Sequence, residues 1–395
     1  MKIQRFVILV FIALIISINS KIYSQSFSIG HTTINFIVSS RNNRSVPTEI
    51  YYPANASGID VPIVSSNVTK FPVLVFGHGF LMTFDAYQNI WESLVPNGYI
   101  LALPKTEGGF SPSHLEYAKD LSFVINQITL LGVNSASIFF DRISPMNSVM
   151  GHSMGGGAAF LAAQLNPNIK TIATLAAAET NPSAITAASN CSIPSLVFAG
   201  SNDCVTPPIS NQFAMYNSII SPCKSYISIT GGSHCQMANS NFYCSIGESS
   251  CTPSPTITSS FQHNVLNDYL LKWLQFQLKN DCVSGSQFDT LINSDNRISY
   301  QKNCSQCDIL ATVDTNKNIE IKIYPNPFVD SLLFSIDSDE VFNIVIFDSM
   351  MRKIISKNIK KNDSIDTSFL SIGIYFYEIK IENNTLKRGS ILKSN

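Results

Sequence analysis

Between about residues 30 and 282, β-forming runs alternate with stretches of helical spacing, and this alternation limits the possible folds more than any other feature of the chain. FPVLVFGHG (71–79) is an apolar strand that ends in glycines, and YILALPKTE (99–107) is another. TFDAYQNIWESLVPNG (83–98) lies between them with helical spacing and Gly98 as a stop. HLEYAKDLSFVINQITLLG (114–132) is a helix, NSVMGHS (147–153) a strand, and GGGAAFLAAQLN (155–166) a helix of small residues. IKTIATLAAAE, PSLVFAGSND and KSYISITGGSH supply three more strands, with the helix PISNQFAMYNSII between the last two. A long helix over 259–280 closes the unit. Strands that alternate with helices need crossover connections, which predicts an α/β fold: a mostly parallel sheet with helices on both faces.

The pattern changes after Cys282. A loop-rich stretch is expected up to Cys304 and Cys307, then a polar linker over 309–318. From Ile319 to the last residue, 395, only short strands separated by turn residues are read, a small all-β sandwich domain. At the other end, Lys2 and Arg5 precede an apolar stretch from Phe6 to Ile18, followed by Ser20, Ser24 and Gln25. Residues 1–25 therefore read as a secretory signal peptide, leaving 26–308 as the α/β domain. An uncleaved anchor would want about 20 apolar residues. The formal net charge of −1 gives no electrostatic footprint for nucleic acid and no attraction to anionic lipid. Nine cysteines fit an oxidising compartment, and the odd count leaves at least one free or paired outside the chain. Cys304-Ser-Gln-Cys307 has no second pair at zinc spacing, so no metal site is expected.

GHSMGGG (151–157) places Ser153 where a strand turns into a helix. A serine hydroxyl needs a base to become a nucleophile, most often a histidine held by a carboxylate. Of the six histidines, His31, His78, His114, His152 and His263 read as structural or surface residues. His234 follows the last strand after two glycines, at the carboxyl edge of the sheet, where open α/β sheets bind ligands. Asp203 ends the preceding strand and is the expected acid, with Glu179 as the alternative. The order Ser153, Asp203, His234 is the one expected of an α/β-hydrolase. Two N–H donors are needed for the tetrahedral oxyanion. The Met154 amide, at the start of the helix, and the Phe80 amide, in the turn GHGF (77–80), are expected to supply them.

GHSMGGG, GHGF, FAGSNDCVTPP (198–208), GGSH (231–234) and the pair Asn166-Pro167 together resemble the bacterial cutinase and polyester-hydrolase family, over roughly residues 45–305. The resemblance implies a secreted serine esterase acting on polyesters such as poly(ethylene terephthalate). Ser153, Asp203 and His234 would be its triad, and Phe80 and Met154 its oxyanion donors, with side chains touching the acyl group. This chemistry needs no cofactor and no metal; the resemblance allows calcium bound for stability, but no sequence signature of a calcium site is found. The resemblance also suggests four disulfides: Cys282–Cys304, Cys204–Cys235, Cys191–Cys223 and Cys244–Cys251. The family often carries a tryptophan in the loop after the strand that follows the nucleophile helix. LAAAETNPS (175–183) has no aromatic residue there, and Trp91 and Trp273 are read on helices, packed inside. A short-chain lipase or phospholipid-acetyl hydrolase acting on small esters is the second enzymatic reading, and a non-catalytic binding protein on a hydrolase scaffold the third.

The last domain is similar to the type IX secretion sorting domains of Bacteroidetes, through Tyr324-Pro-Asn-Pro-Phe328, FDSMMRKI (347–354) and SIGIYFYEI (371–379). That resemblance implies the type IX machinery as a partner and an extracellular or outer-surface location. The alternative for this domain is a carbohydrate- or polymer-binding sandwich. A monomer is expected.

Overall fold

The structure, a computed structural model, describes residues 26–65, 70–304, 321–338, 340–348, 352–381 and 384–394. The expected signal peptide and linker lie outside the described residues. The chain divides into two compact units, residues 1–306 and 307–395.

The first unit is built on a ten-stranded sheet. Its strands are β1 (Ser28–Val38), β2 (Arg44–Ala54), β3 (Gly58–Ile59), β4 (Phe71–Gly77), β5 (Ile100–Pro104), β6 (Ile143–His152), β7 (Thr171–Leu175), β8 (Ser195–Gly200), β9 (Lys224–Ile229) and β10 (Ile298–Asn303). They lie in the order β10-β9-β8-β7-β6-β4-β5-β2-β1-β3. From β9 to β5 every neighbour is parallel, while β10 and the β1–β2 hairpin flank this block antiparallel.

The helices are α1 (Gln88–Leu94), α2 (His114–Leu131), α3 (Met154–Leu165), α4 (Ala184–Ala188), α5 (Gln212–Ser218), α6 (Phe242–Glu248), α7 (Ser259–Lys279) and α8 (Cys282–Ser294). Successive side chains of a strand point to opposite faces, so a strand covered on both sides must be apolar throughout. Val73, Val75, Ile100 and Ala102 pack in one core with residues of α2 to α5. Leu74, Phe76, Leu101 and Leu103 pack in a second core with α1, α7 and α8. This is the α/β architecture the alternation predicts.

The stretch after Cys282 corrects the sequence reading. It holds a helix and a strand where loops were expected. Asp281 caps α8 by accepting from the amides of Val283 and Ser284, and Phe288 and Ile292, one turn apart, are buried. Phe288 meets Tyr269 and Trp273 of α7 edge-on or tilted. β10 then pairs with β9, setting Asn303 opposite Lys224.

None of the four expected disulfides forms. Cys223 and Cys304 flank paired ends of β9 and β10, so the unforeseen strand brings them together. Cys235 bonds Cys244, which α6 carries back over the loop, and Cys204 bonds Cys251. Cys282 is disulfide-bonded as well. Cys191 is a buried free thiol near the hydroxyl of Ser195, and burial pushes its pKa up.

The second unit has two antiparallel sheets. β11 (Ile321–Tyr324), β12 (Ser331–Ile336) and β15 (Ser364–Asp366) form one, ordered β11-β12-β15. β13 (Phe342–Phe347), β14 (Lys353–Ile359), β16 (Gly373–Ile381) and β17 (Asn384–Lys393) form the other, ordered β14-β13-β16-β17. Alternate residues such as Leu332, Phe334, Ile344, Ile346 and Ile379 fill one core between them.

Candidate active site

Four of the loops that leave the carboxyl edge of the parallel block carry the residues expected at the site: those after β4, β6, β8 and β9. Ser153 stands at the second, between β6 and α3, with φ 55° and ψ −122°. A non-glycine residue in this region is strained and is held only by its surroundings. Here the Ser153 amide donates to the Leu175 carbonyl at 3.0 Å, and its carbonyl accepts from Ala178 and Gly157 at 2.8 and 3.1 Å. The glycines behind it make the turn possible. A Cβ on Gly155 would lie 2.1 Å from the Gly77 carbonyl oxygen, and one on Gly151 would lie 2.3 Å from that of Gly155. α3 therefore rests directly on the backbone of β4 and β6, and its amino end, where the helix dipole favours negative charge, reaches the site.

Asp203 and His234 meet. His234 Nδ1 is 2.8 Å from Asp203 Oδ2, and both side chains are almost wholly buried. The carboxylate also accepts from the Thr206 amide at Oδ1 and from the Thr206 hydroxyl at Oδ2, each at 2.8 Å. The same hydroxyl lies 3.0 Å from His234 Nδ1 and accepts from Gln212 Nε2 at 2.9 Å. Gln212 Nε2 also donates to the Ala177 carbonyl at 2.6 Å. An ionised carboxylate can only accept, so the proton of neutral His234 sits on Nδ1 and leaves Nε2 as the basic nitrogen. Among the described residues the Ser153 hydroxyl has no hydrogen-bond partner. Glu179, the alternative acid, is exposed and accepts from the Ile185 amide instead.

Ser153 and this pair share neighbours. The His152 ring, fully buried, lies 4.7 Å from that of His234, centroid to centroid. Gly79 abuts the elbow: a Cβ there would be 3.3 Å from the Ser153 Cβ and 3.2 Å from His152 Nδ1. Among the described residues, neither the Phe80 nor the Met154 amide donates to a protein acceptor. The Phe80 side chain is 46 % exposed, whereas Met154 is 3 % exposed and packs in the first core. Phe80 is thus the more accessible of the two side chains.

The remaining histidines have other partners. His31 pairs with Glu49, and His263 bonds the Ala238 carbonyl. His114 accepts from the Asn181 amide. His78 and His152 are buried in the site's walls, where burial lowers both pKa values; the neighbouring His234 adds to the effect on His152. Trp91 stacks on Tyr51 and Trp273 donates to Thr171, both inside as expected. Thr206 and Gln212 were not singled out from sequence, nor were Tyr87 and Tyr117, which bond the turn after β4. Threonine, glutamine and tyrosine are common, and only the tertiary neighbours give these four a role. Among the described residues no group of three or more His, Cys, Asp or Glu is placed to hold a metal ion.

A parallel sheet of this order, with a strained serine after β6 and a buried aspartate–histidine pair after β8 and β9, defines the α/β-hydrolase class. A family model described as PET hydrolase-like matches residues 25–251, and the chain belongs to that family of hydrolases. Residues 322–393 match the secretion system C-terminal sorting domain, so the second unit is a type IX sorting domain and the chain is exported to the outside or the surface of the cell. No curated protein matches the chain.

Proposed function

We propose that the protein is a serine esterase with Ser153, His234 and Asp203 as its triad. The observation that carries this reading is the buried 2.8 Å contact between His234 Nδ1 and Asp203 at the edge where Ser153 sits on its strained elbow. His234 Nε2 takes the proton of Ser153 Oγ as the oxygen attacks the ester carbonyl. The amides of Phe80 and Met154 receive the oxyanion. Collapse expels the alcohol, protonated by His234, and leaves an acyl group on Ser153. Water, deprotonated by the same nitrogen, then releases the acid and regenerates the serine. The catalytic part is residues 26–308, acting as a monomer, and residues 319–395 are the part the type IX machinery engages.

Family membership favours polyesters as substrates. A second reading, hydrolysis of small soluble esters, is favoured by the loop 175–183, which has no aromatic residue to lie against a flat repeat unit. Release of soluble aromatic acids from an amorphous poly(ethylene terephthalate) film, beside cleavage of a short-chain nitrophenyl ester, separates the two. Cleavage of both, lost in Ser153→Ala, supports the polyester reading. Cleavage of the soluble ester alone moves the protein to the small-ester class. Activity that survives Ser153→Ala overturns the triad.

A further inference from the structure

The turn after β4 presents three successive amides, and they are treated differently. The His78 amide donates to the Tyr117 hydroxyl at 2.6 Å, and the Gly79 amide to the Tyr87 hydroxyl at 2.7 Å. The third amide, Phe80, has no acceptor among the described residues. Tyr117 comes from α2, and Tyr87 from the short 3-10 turn Phe84–Tyr87, and both are fully buried. Two elements distant in the sequence thus occupy the first two donors of the turn and leave the third.

Tyr87 is also one link of a longer chain whose polarity is fixed throughout. His152 Nε2 lies 3.2 Å from the His234 carbonyl, which can only accept, so this nitrogen carries the ring proton. His152 Nδ1 is then an acceptor, and it lies 3.0 Å from the Tyr87 oxygen. The phenol gives its one proton to this nitrogen rather than to the Met82 sulfur at 3.3 Å, because a thioether is a weak acceptor. Its lone pair takes the Gly79 N–H. The protons therefore run in one direction, from Gly79 to Tyr87 to His152, and from His152 to the backbone of His234. Burial keeps the His152 ring neutral, as this arrangement requires.

We propose that Tyr87 and Tyr117 are positioning residues for the oxyanion turn, holding the amides of Gly79 and His78 so that the Phe80 amide faces the substrate, and that His152 couples this turn to the loop carrying His234. The inference rests on the serine-esterase reading above. It explains why three buried polar side chains, Tyr117 from the first core, Tyr87 from the second and His152, gather behind the elbow. Each one fixes a backbone segment whose displacement would move either an oxyanion donor or the base.

The test uses the full mature chain with Tyr87→Phe, Tyr117→Phe and Ser153→Ala, and Ile90→Ala as a destabilised control from the core that holds Tyr87. Turnover of a nitrophenyl ester, inhibition by an alkylboronic acid that mimics the tetrahedral adduct, and Tm are measured for each. Tyr87→Phe is expected to lower kcat on the order of 10²-fold with KM within about twofold, as misplacement of a donor does. Boronate affinity should fall in step with kcat/KM across both tyrosine variants, while Ile90→Ala loses Tm and keeps kcat. Unchanged kcat in both tyrosine variants overturns the inference, as does an equal loss of kcat in Ile90→Ala at matched Tm. If Ser153→Ala is inactive in either case, the esterase reading survives without it. If Ser153→Ala keeps its activity, both fall together.

Discussion

Thr206 does more for the Asp203–His234 pair than its type suggests. Its amide and hydroxyl supply two of the three hydrogen bonds to the Asp203 carboxylate, and the hydroxyl stands beside the His234 proton. Thr206→Val keeps the shape and removes the hydroxyl, leaving Asp203 Oδ2 and Gln212 Nε2 each short of a partner in a buried site. We expect a loss of about 1–3 kcal/mol of stability. The kcat should fall about tenfold and return in Thr206→Ser, because a looser carboxylate holds the imidazole less well. Steady-state kinetics and denaturant titration of both variants check this, and a Thr206→Val enzyme with full kcat would remove the role. Gly155→Ala should be far more damaging. Its Cβ would meet backbone, the Gly77 carbonyl at 2.1 Å, and no rotamer relieves that. We expect little soluble protein, or a loss above about 4 kcal/mol, and normal expression would show that the helix can shift. Ser153, Asp203 and His234 could be picked out of the sequence because strand-end positions and glycine spacing mark them. Thr206, Gln212, Tyr87 and Tyr117 could not, since their partners lie on other elements.

At the scale of elements, the alternation of apolar strands and helices was legible because both faces of the central strands are covered, which demands unbroken apolar runs such as FPVLVFG. The edge was harder to read. β10, ISYQKN, is mostly exposed and carries no such run, and α8 begins without an apolar repeat in its first turn. Missing β10 hid the partner of Cys304, and missing α6 hid that of Cys235. Disulfide pairing follows from which backbones lie within bonding reach, and so it inherits every error in the elements. The observed pairs tie the segment after His234 to the loops that carry Asp203 and His234, since Cys204 and Cys235 directly follow these residues. By loop closure alone, Cys204–Cys251, with a sequence separation of 47, restrains the unfolded chain more than Cys235–Cys244, with a separation of 9. The chain-entropy estimate is about 4 against about 2.5 kcal/mol. Paired Cys→Ser variants compared by denaturant midpoint should therefore rank in that order. The reverse order would mean that native contacts of α6, not chain entropy, dominate.

For the whole molecule, the change from strand–helix alternation to strands alone is visible in the sequence, and the first unit encloses two cores and the second unit one. The first unit also holds three histidines that shape its response to acid. Burial lowers the pKa of His78, His152 and His263 below the ordinary 6.5, and His152 most strongly, with His234 adding to the effect. The unfolded chain binds a proton at each near pH ~6.5, whereas the folded chain binds it only at lower pH. Their contribution is therefore fully present above pH ~6.5 and is lost as pH falls from there toward the folded pKa of each group. The buried His78 and His152 can each add a slope of up to about 1.4 kcal/mol per pH unit in that window, and the part-exposed His263 adds less because water screens it. Denaturant titrations at intervals from pH 7 to 5 should show stability of the first unit already falling before carboxylates protonate. His152→Asn, though less stable at pH 7, should show a shallower fall by nearly one proton. An identical slope in that variant would mean that His152 titrates normally in the folded protein, and that the one-way chain of hydrogen bonds through its ring does not hold it neutral.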